Sequence, residues 1–176
     1  MFDNVMIDLE TLSTFPDAAI VSIGAVAFNM HNNDTADFYI NIDPRDSKQY
    51  AMSITQDTLD WWRKQKPEAV RAWIKNGVAV KEAADQFTEF MRINTNKFDV
   101  QVWSNGIDFD FPPIKNMLRL TENELMWFYW NQMDCRTIYK AAGFDTKTAK
   151  RTGTHHNALD DCHDQILWIK QINGAS

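Results

Sequence analysis

Two carboxylates at a spacing of two interrupt an otherwise apolar run, Val5-Met6-Ile7-Asp8-Leu9-Glu10-Thr11, and no other stretch constrains the fold as much. Side chains of a strand alternate between its faces, so Asp8 and Glu10 must point to one side. Like charges held there repel, and a hard divalent cation bound by oxygen ligands is the natural neutralising partner. The expectation is a short strand over residues 5–7 that ends at the acidic pair. Later segments add to the set: Trp103-Ser104-Asn105-Gly106-Ile107-Asp108-Phe109-Asp110, and His156-Asn157-Ala158-Leu159-Asp160-Asp161. Carboxylates and a histidine gathered this way read as a metal-dependent phosphodiester hydrolase.

The remaining pattern is that of an α/β sheet. Ile20 to Asn29 mixes alternation with a continuous apolar stretch, which suits a central strand. Phe38 to Ile42 forms a third strand and stops at the turn signal Asp43-Pro44. Three strands with short connections predict an antiparallel meander. A helix follows over Gln56–Gln65 with Thr55 as its cap, and Pro67 opens another through Ile74 that stops near Gly77. A third helix, Lys81 to Ile93, places Ala84, Phe87, Phe90 and Met91 on one face. Val100–Trp103 reads as a strand that delivers Asp110 just beyond its end, followed by a helix across Ile114–Leu118. The aromatic run Trp127-Phe128-Tyr129-Trp130 reads as a fifth strand, leading into a helix that ends at Gly143. Lys147 to Gly153 is a basic loop, and a last helix runs from Ala158 to Ile172 with Asp161 in its first turns. Strands first and then alternating helices and strands predict one mixed sheet that ends with crossovers. With no repeat or linker, residues 1–176 are expected to form a single domain.

Twenty-four acidic against 18 basic residues give a net charge of −6. A protein that coats nucleic acid by charge alone should be basic, so any grip on a strand must be local, metal-assisted and short in footprint. Two cysteines, Cys135 and Cys162, make no disulfide framework, Met1-Phe2-Asp3-Asn4 is not expected to open a signal peptide, and no 18-residue apolar run occurs. A cytoplasmic protein with no membrane partner is expected.

Spacing alone leaves choices open. Asp108 and Asp110 both flank Phe109, and either one can cap a helix beginning at Pro112-Pro113. His155 and Asp160 share the spacing of His156 and Asp161. His155, His156, Cys162 and His163 also cluster within nine positions, but their spacing fits no common zinc motif, and hard carboxylates suit magnesium or manganese better.

Taken in order, Asp8-x-Glu10, Asn105-Gly106-x-x-Phe109-Asp110 and His156-Asn157-Ala158-Leu159-x-Asp161 resemble the three exonuclease motifs of the DEDD superfamily, histidine subtype. Thr58-Leu59-x-Trp61-Trp62-x-x-Gln65 with Trp103-x-Asn105-Gly106 is similar to a compact branch holding phage exonucleases and Rv2179c-like exoribonucleases. The resemblance covers nearly the whole chain. It selects Asp110 over Asp108 and His156 over His155, and it implies a ribonuclease H-like fold with five strands in the order 3-2-1-4-5.

On this reading Asp8, Glu10, Asp110 and Asp161 clamp two Mg²⁺ or Mn²⁺ ions roughly 3.5–4 Å apart, one activating water and the other stabilising the leaving 3′ oxygen. His156 is the general base, since an imidazole of pKa about 6.5 accepts a proton at neutral pH. Thr11, Leu12, Trp62 and Asn105 are the candidate substrate-binding residues. The adjacent tryptophans, Trp61 and Trp62, cannot both face the core from one helix, so one is read either as core or subunit-interface packing or as a stacking surface for a base. Lys147, Lys150 and Arg151 are positioned in sequence to touch the phosphate backbone. The resemblance implies 3′-to-5′ hydrolysis at the 3′ ends of single-stranded or frayed DNA or RNA, with DNA favoured, and release of nucleoside 5′-monophosphates. A homodimer is also consistent with it. The competing classes are an inactive nucleic-acid-binding module and a metal-dependent phosphohydrolase of small nucleotides.

Overall fold

The computed structural model describes residues 1–65, 73, 75–153 and 156–174. Most of the helix expected from Pro67 to Ile74 lies outside these residues, as does His155. Five strands build one sheet in the order β3-β2-β1-β4-β5: β1 Asn4–Thr11, β2 Ile20–Phe28, β3 Thr35–Asn41, β4 Gln101–Ser104 and β5 Gln132–Asp134. The first three form the antiparallel meander, and β4 and β5 join in parallel to β1. The helices described are α1 Gln56–Lys64, α2 Val80–Asn94, α3 Ile107–Leu120, α4 Cys135–Ala141 and α5 Ala158–Ile172. This is the ribonuclease H-like order that the resemblance implies.

The central strand feeds a core on each side. Val5, Ile7 and Leu9 of β1 pack with Phe87 and Met91 of α2 and with Phe111 and Ile114 of α3. Met6, on the opposite face, packs with Tyr139 of α4 and with Cys162, Ile166 and Ile169 of α5. The alternation therefore sends Asp8 and Glu10 to the face covered by α4 and α5.

Unlike the expectation, β1 does not end at the acidic pair. Asp8 pairs with Gly24 of β2 and Glu10 with Ser22, and the register shifts only beyond Glu10. A charged side chain leaves its backbone N–H and C=O free for the ladder, so the strand continues through the carboxylates. Directly across from Asp8, Gly24 lets α5 land on the sheet. A Cβ at residue 24 would sit 2.3 Å from the Ala158 carbonyl carbon and 2.5 Å from Leu159 N.

Two further expectations are corrected. The helix placed at Ile114–Leu118 begins seven residues earlier, so Asp110 lies in its first turn and Pro112 and Pro113 lie inside it. Proline is at home in a first turn, which is why the pair reads as a start. The actual start is set by Asp134 at the end of β5, whose Oδ2 accepts from Ile107 N at 3.2 Å. The aromatic run 127–130 is no strand. Trp127 is buried while Tyr129 is 75% exposed, and Phe128 stacks on Trp130 with ring centroids 4.6 Å apart. These rings satisfy one another locally, the chain turns through a 3-10 segment at Tyr129–Asn131, and the fifth strand follows at β5.

Thr55 caps α1 by position, but its hydroxyl lies 2.9 Å from Thr58 Oγ1 and makes no cap bond. The last helix keeps the boundaries read from the sequence, with Asn157 Oδ1 accepting from Leu159 N and Asp160 N.

Candidate active site

The carboxylates arrive on three elements. Asp8 and Glu10 come from β1, and Gln165 of α5 donates its amide Nε2 to Asp8 Oδ1 at 2.9 Å. Asp110 comes from the first turn of α3, where its Oδ1 accepts from Leu9 N at 3.2 Å. That donor is available because β4 pairs with β1 only as far as Met6 and Trp103. Asp161 comes from α5. Its Oδ2 accepts from His156 N at 3.1 Å, and its Oδ1 accepts from Arg151 at 2.7 Å.

His156 holds a left-handed backbone, with φ of 63°. Non-glycine residues rarely occupy this region, and such strain concentrates at functional sites. Its ring meets Trp61 edge to face at 4.9 Å and Trp62 at 6.1 Å.

Burial and mutual repulsion shape the electrostatics. Burial, reinforced by Asp110, Glu10 and Asp161, pushes the Asp8 carboxyl well above the ordinary range. Burial and then Asp161 and Asp110 push Glu10 up to about 8. Asp110 is pushed up to about 7 by burial, against the opposing hydrogen bond from Leu9 N. A set of buried acids that resists ionisation is a site built for positive charge. One ligand atom each from Glu10, His156 and Asp161 lies within 4.8 Å of the others. Oxygen donors with one imidazole fit magnesium or manganese, and the residues present can hold such ions.

A cavity of about 610 Å³ opens over these groups. Asp8, Glu10, Asp110, His156 and Asp161 all line it, as do Thr11, Trp62 and Asn105. Trp62 is nonetheless buried, its Nε1 donating to Thr11 O at 2.9 Å and its ring packed on Trp73 at 4.5 Å. The tryptophan that faces open space is Trp61, 41% exposed, joined on the cavity wall by Phe15 and Phe109. Leu12 is buried in the core and is not part of the lining, so its side chain is not among those the cavity exposes. Asp108 is exposed outside the cavity. Cys162 is fully buried with its thiol toward Met6 O and Gly24 O, and His163 pairs with Asp37 at 2.9 Å, so neither belongs to a zinc set with His156.

Among the lining residues that sequence reasoning missed are Gln165 and Arg136. Gln165 stands four positions after Asp161 on one helix, a spacing that puts both on the same face, so the signal was there to use. Arg136 had no such signal, because only the sheet brings the end of β5 to the cavity.

Residues 3–173 match the family model of the Rv2179c-like 3′-5′ exoribonuclease domain. An exodeoxyribonuclease of Enterobacteria phage T4 is 28% identical over 202 residues, covering 97% of this chain and 88% of that protein. Three solved structures share the fold. The nuclease domain of 3′hExo, a DEDDh family member bound to rAMP, superposes with a TM-score of 0.63 at 11% identity over 98% of this chain and 92% of its own. The Mg²⁺- and Mn²⁺-bound form of S. pombe Pop2p gives 0.65 at 14% over 98% and 83%. Exonuclease I from Methylocaldum szegediense gives 0.66 at 14% over 99% of this chain, which spans only 41% of that longer protein.

Proposed function

Because the chain belongs to the Rv2179c-like family of 3′-5′ exoribonuclease domains, we propose that it is a metal-dependent exonuclease that shortens single-stranded or frayed nucleic acid from the 3′ end. It favours DNA and releases nucleoside 5′-monophosphates. The observation that carries this reading is the convergence of Asp8 and Glu10 from β1, Asp110 from α3, Asp161 from α5 and His156 from the loop before α5 onto one cavity.

Asp8, Glu10, Asp110 and Asp161 would hold two Mg²⁺ or Mn²⁺ ions. When bound, these supply Lewis acidity for the attacking water and the leaving 3′ oxygen. His156 takes the proton from that water, with Trp61 against its ring and a strained backbone fixing its position. Trp61 and Phe109 give the terminal base an apolar surface, and Thr11 and Asn105 offer polar contacts. Replacing His156 with Ala is expected to lower turnover by about 10²-fold or more with little change in metal affinity. Unchanged turnover would remove it from the mechanism.

The phage relative's name supports DNA as substrate, and the family description supports RNA as the second reading. A time course on matched 5′-labelled single-stranded DNA and RNA, resolved on a sequencing gel, separates them. A ladder that shortens from the 3′ end with magnesium or manganese and stops with chelator is expected, faster on DNA. An unchanged band in every lane would overturn the proposal.

A further inference from the structure

Two arginines line the cavity, and their circumstances differ. Arg151 is engaged: its guanidinium pairs with Asp161 at 2.7 Å, lies 3.8 Å from Asp164 and sits over the Trp168 ring at 5.2 Å. The loop carrying it is fastened to α5, because Thr152 donates its N–H and hydroxyl to Asp164 at 2.8 Å each and Trp168 donates to Lys150 O at 3.2 Å.

Arg136, at the start of α4, has its guanidinium in no side-chain hydrogen bond or close ion pair among the described residues, and its charge acts from a distance, lowering the carboxyls of Asp110 and Asp134. The carboxylate beside it is already committed. Asp134 Oδ1 accepts from Thr137 N and Oγ1 at 2.7 Å each, and Oδ2 accepts from Ile107 N at 3.2 Å. The guanidinium lies instead against Gly106, where a Cβ would sit 3.2 Å from Nη1, 3.4 Å from Cζ and 3.8 Å from Nε. At such distances a side chain at residue 106 would crowd the guanidinium and shift it by a few tenths of an ångström. Gly106 thus makes room for an arginine delivered from another strand.

A guanidinium whose donors are not taken up by hydrogen bonds, beside a floor of carboxylates in a chain of net charge −6, is the group left to bind an anion. Its planar fork matches two phosphate oxygens at once. Its place in the sheet sets it apart from the carboxylates. Asp8 and Glu10 on β1 mark the scissile linkage, and β5 lies two strands away, about 10 Å at ~4.8 Å per strand. We propose that Arg136 grips the phosphate immediately 5′ of the scissile linkage, and that Gly106 is the residue that lets it do so. The inference rests on the exonuclease reading above and adds to it the contact that sets the strand's register.

The test is fluorescence anisotropy of a 5′-labelled single-stranded oligonucleotide, with calcium replacing magnesium to hold back turnover, across a salt series. Arg136→Met is expected to weaken binding about 10-fold and to flatten the dependence of log affinity on log salt by about 0.7, the share of one phosphate contact. Arg136→Lys should restore most of the salt slope and only part of the affinity. A neutral methylphosphonate at the linkage immediately 5′ of the scissile one should weaken the unmodified protein by a similar factor and leave Arg136→Met unaffected. Equal affinity and slope in the unmodified protein and Arg136→Met would overturn the inference while leaving the exonuclease reading intact. So would a methylphosphonate penalty that is the same in both proteins. Failure of the unmodified protein to bind at any salt concentration would overturn both.

Discussion

Leu9 N donates to Asp110 Oδ1 at 3.2 Å, so the carboxylate carried by α3 is fastened to the backbone between the two carboxylates carried by β1. Three acids are thereby held together by strand geometry and one hydrogen bond, whatever their charges prefer. The arrangement works against folding stability whenever the acids are ionised without a cation.

The first prediction follows from the direction of those shifts. Glu10 rises from 4.5 to about 8 and Asp110 from 3.8 to about 7, so between these limits the folded state holds more protons than the unfolded one. Stability therefore falls as pH rises through this window. In chelator the melting temperature should drop from pH 5 to pH 8, and excess magnesium or manganese should flatten the curve. Asp110→Asn keeps an acceptor for Leu9 N without the charge, so it should melt higher than the parent at pH 8 in chelator, show little gain at pH 5, and be inactive. A melting temperature that climbs with pH in chelator would defeat this account.

That site was legible in the sequence to the extent that its chemistry is local. Asp8 and Glu10 stand out because charges in an apolar strand are conspicuous, and α5 announces itself through Asn157, whose side chain caps its own helix. The start of α3 was hidden because its cap, Asp134, lies 27 residues away and is delivered by the sheet. Arg136 was invisible for the same reason. The aromatic run at 127–130 misled because β-propensity is high for rings that here pack on one another, Phe128 on Trp130. Leu12 and Trp62 were read toward substrate from their places beside motif residues, and burial draws both inward.

Gln165 gives the second prediction. Its Nε2 is a donor to Asp8 Oδ1, and it lowers a carboxyl that burial and three neighbouring acids raise. Gln165→Leu keeps the volume and removes the donor, so Asp8 becomes harder to ionise and a weaker ligand. The magnesium concentration for half-maximal activity should rise about 10-fold, with turnover largely recovered at excess magnesium. An unchanged magnesium dependence would show that the contact is incidental.

The adjacent tryptophans should separate cleanly. Trp62 is 3% exposed and bonded to Thr11 O, so Trp62→Ala leaves a cavity in the core and should cost about 3–5 kcal/mol by chemical denaturation. Trp61 is 41% exposed on the cavity wall, so Trp61→Ala should change stability little and raise KM about 10-fold through lost base stacking. Denaturation curves and steady-state kinetics on the two variants decide this. Equal stability losses with unaltered KM would assign both rings to the core.

Gly24 links the fold to the chemistry most directly. It pairs with Asp8 across the β1–β2 ladder, and α5 rests on it so closely that a Cβ would meet the Ala158 carbonyl carbon at 2.3 Å and its oxygen at 2.4 Å. These are backbone atoms of a helix whose next turns carry Asp161 and Gln165, and they have no rotamer with which to give way. Gly24→Ala must therefore lift the start of α5 from the sheet. Overpacking of this kind costs about 1–3 kcal/mol, and the lift also moves Asp161 and Gln165 away from Asp8. Activity should fall about 10-fold or more at a temperature where circular dichroism shows the variant still folded. Full activity in a folded Gly24→Ala protein would mean that α5 relaxes without disturbing the carboxylates, and the tight seat on Gly24 would then serve packing alone.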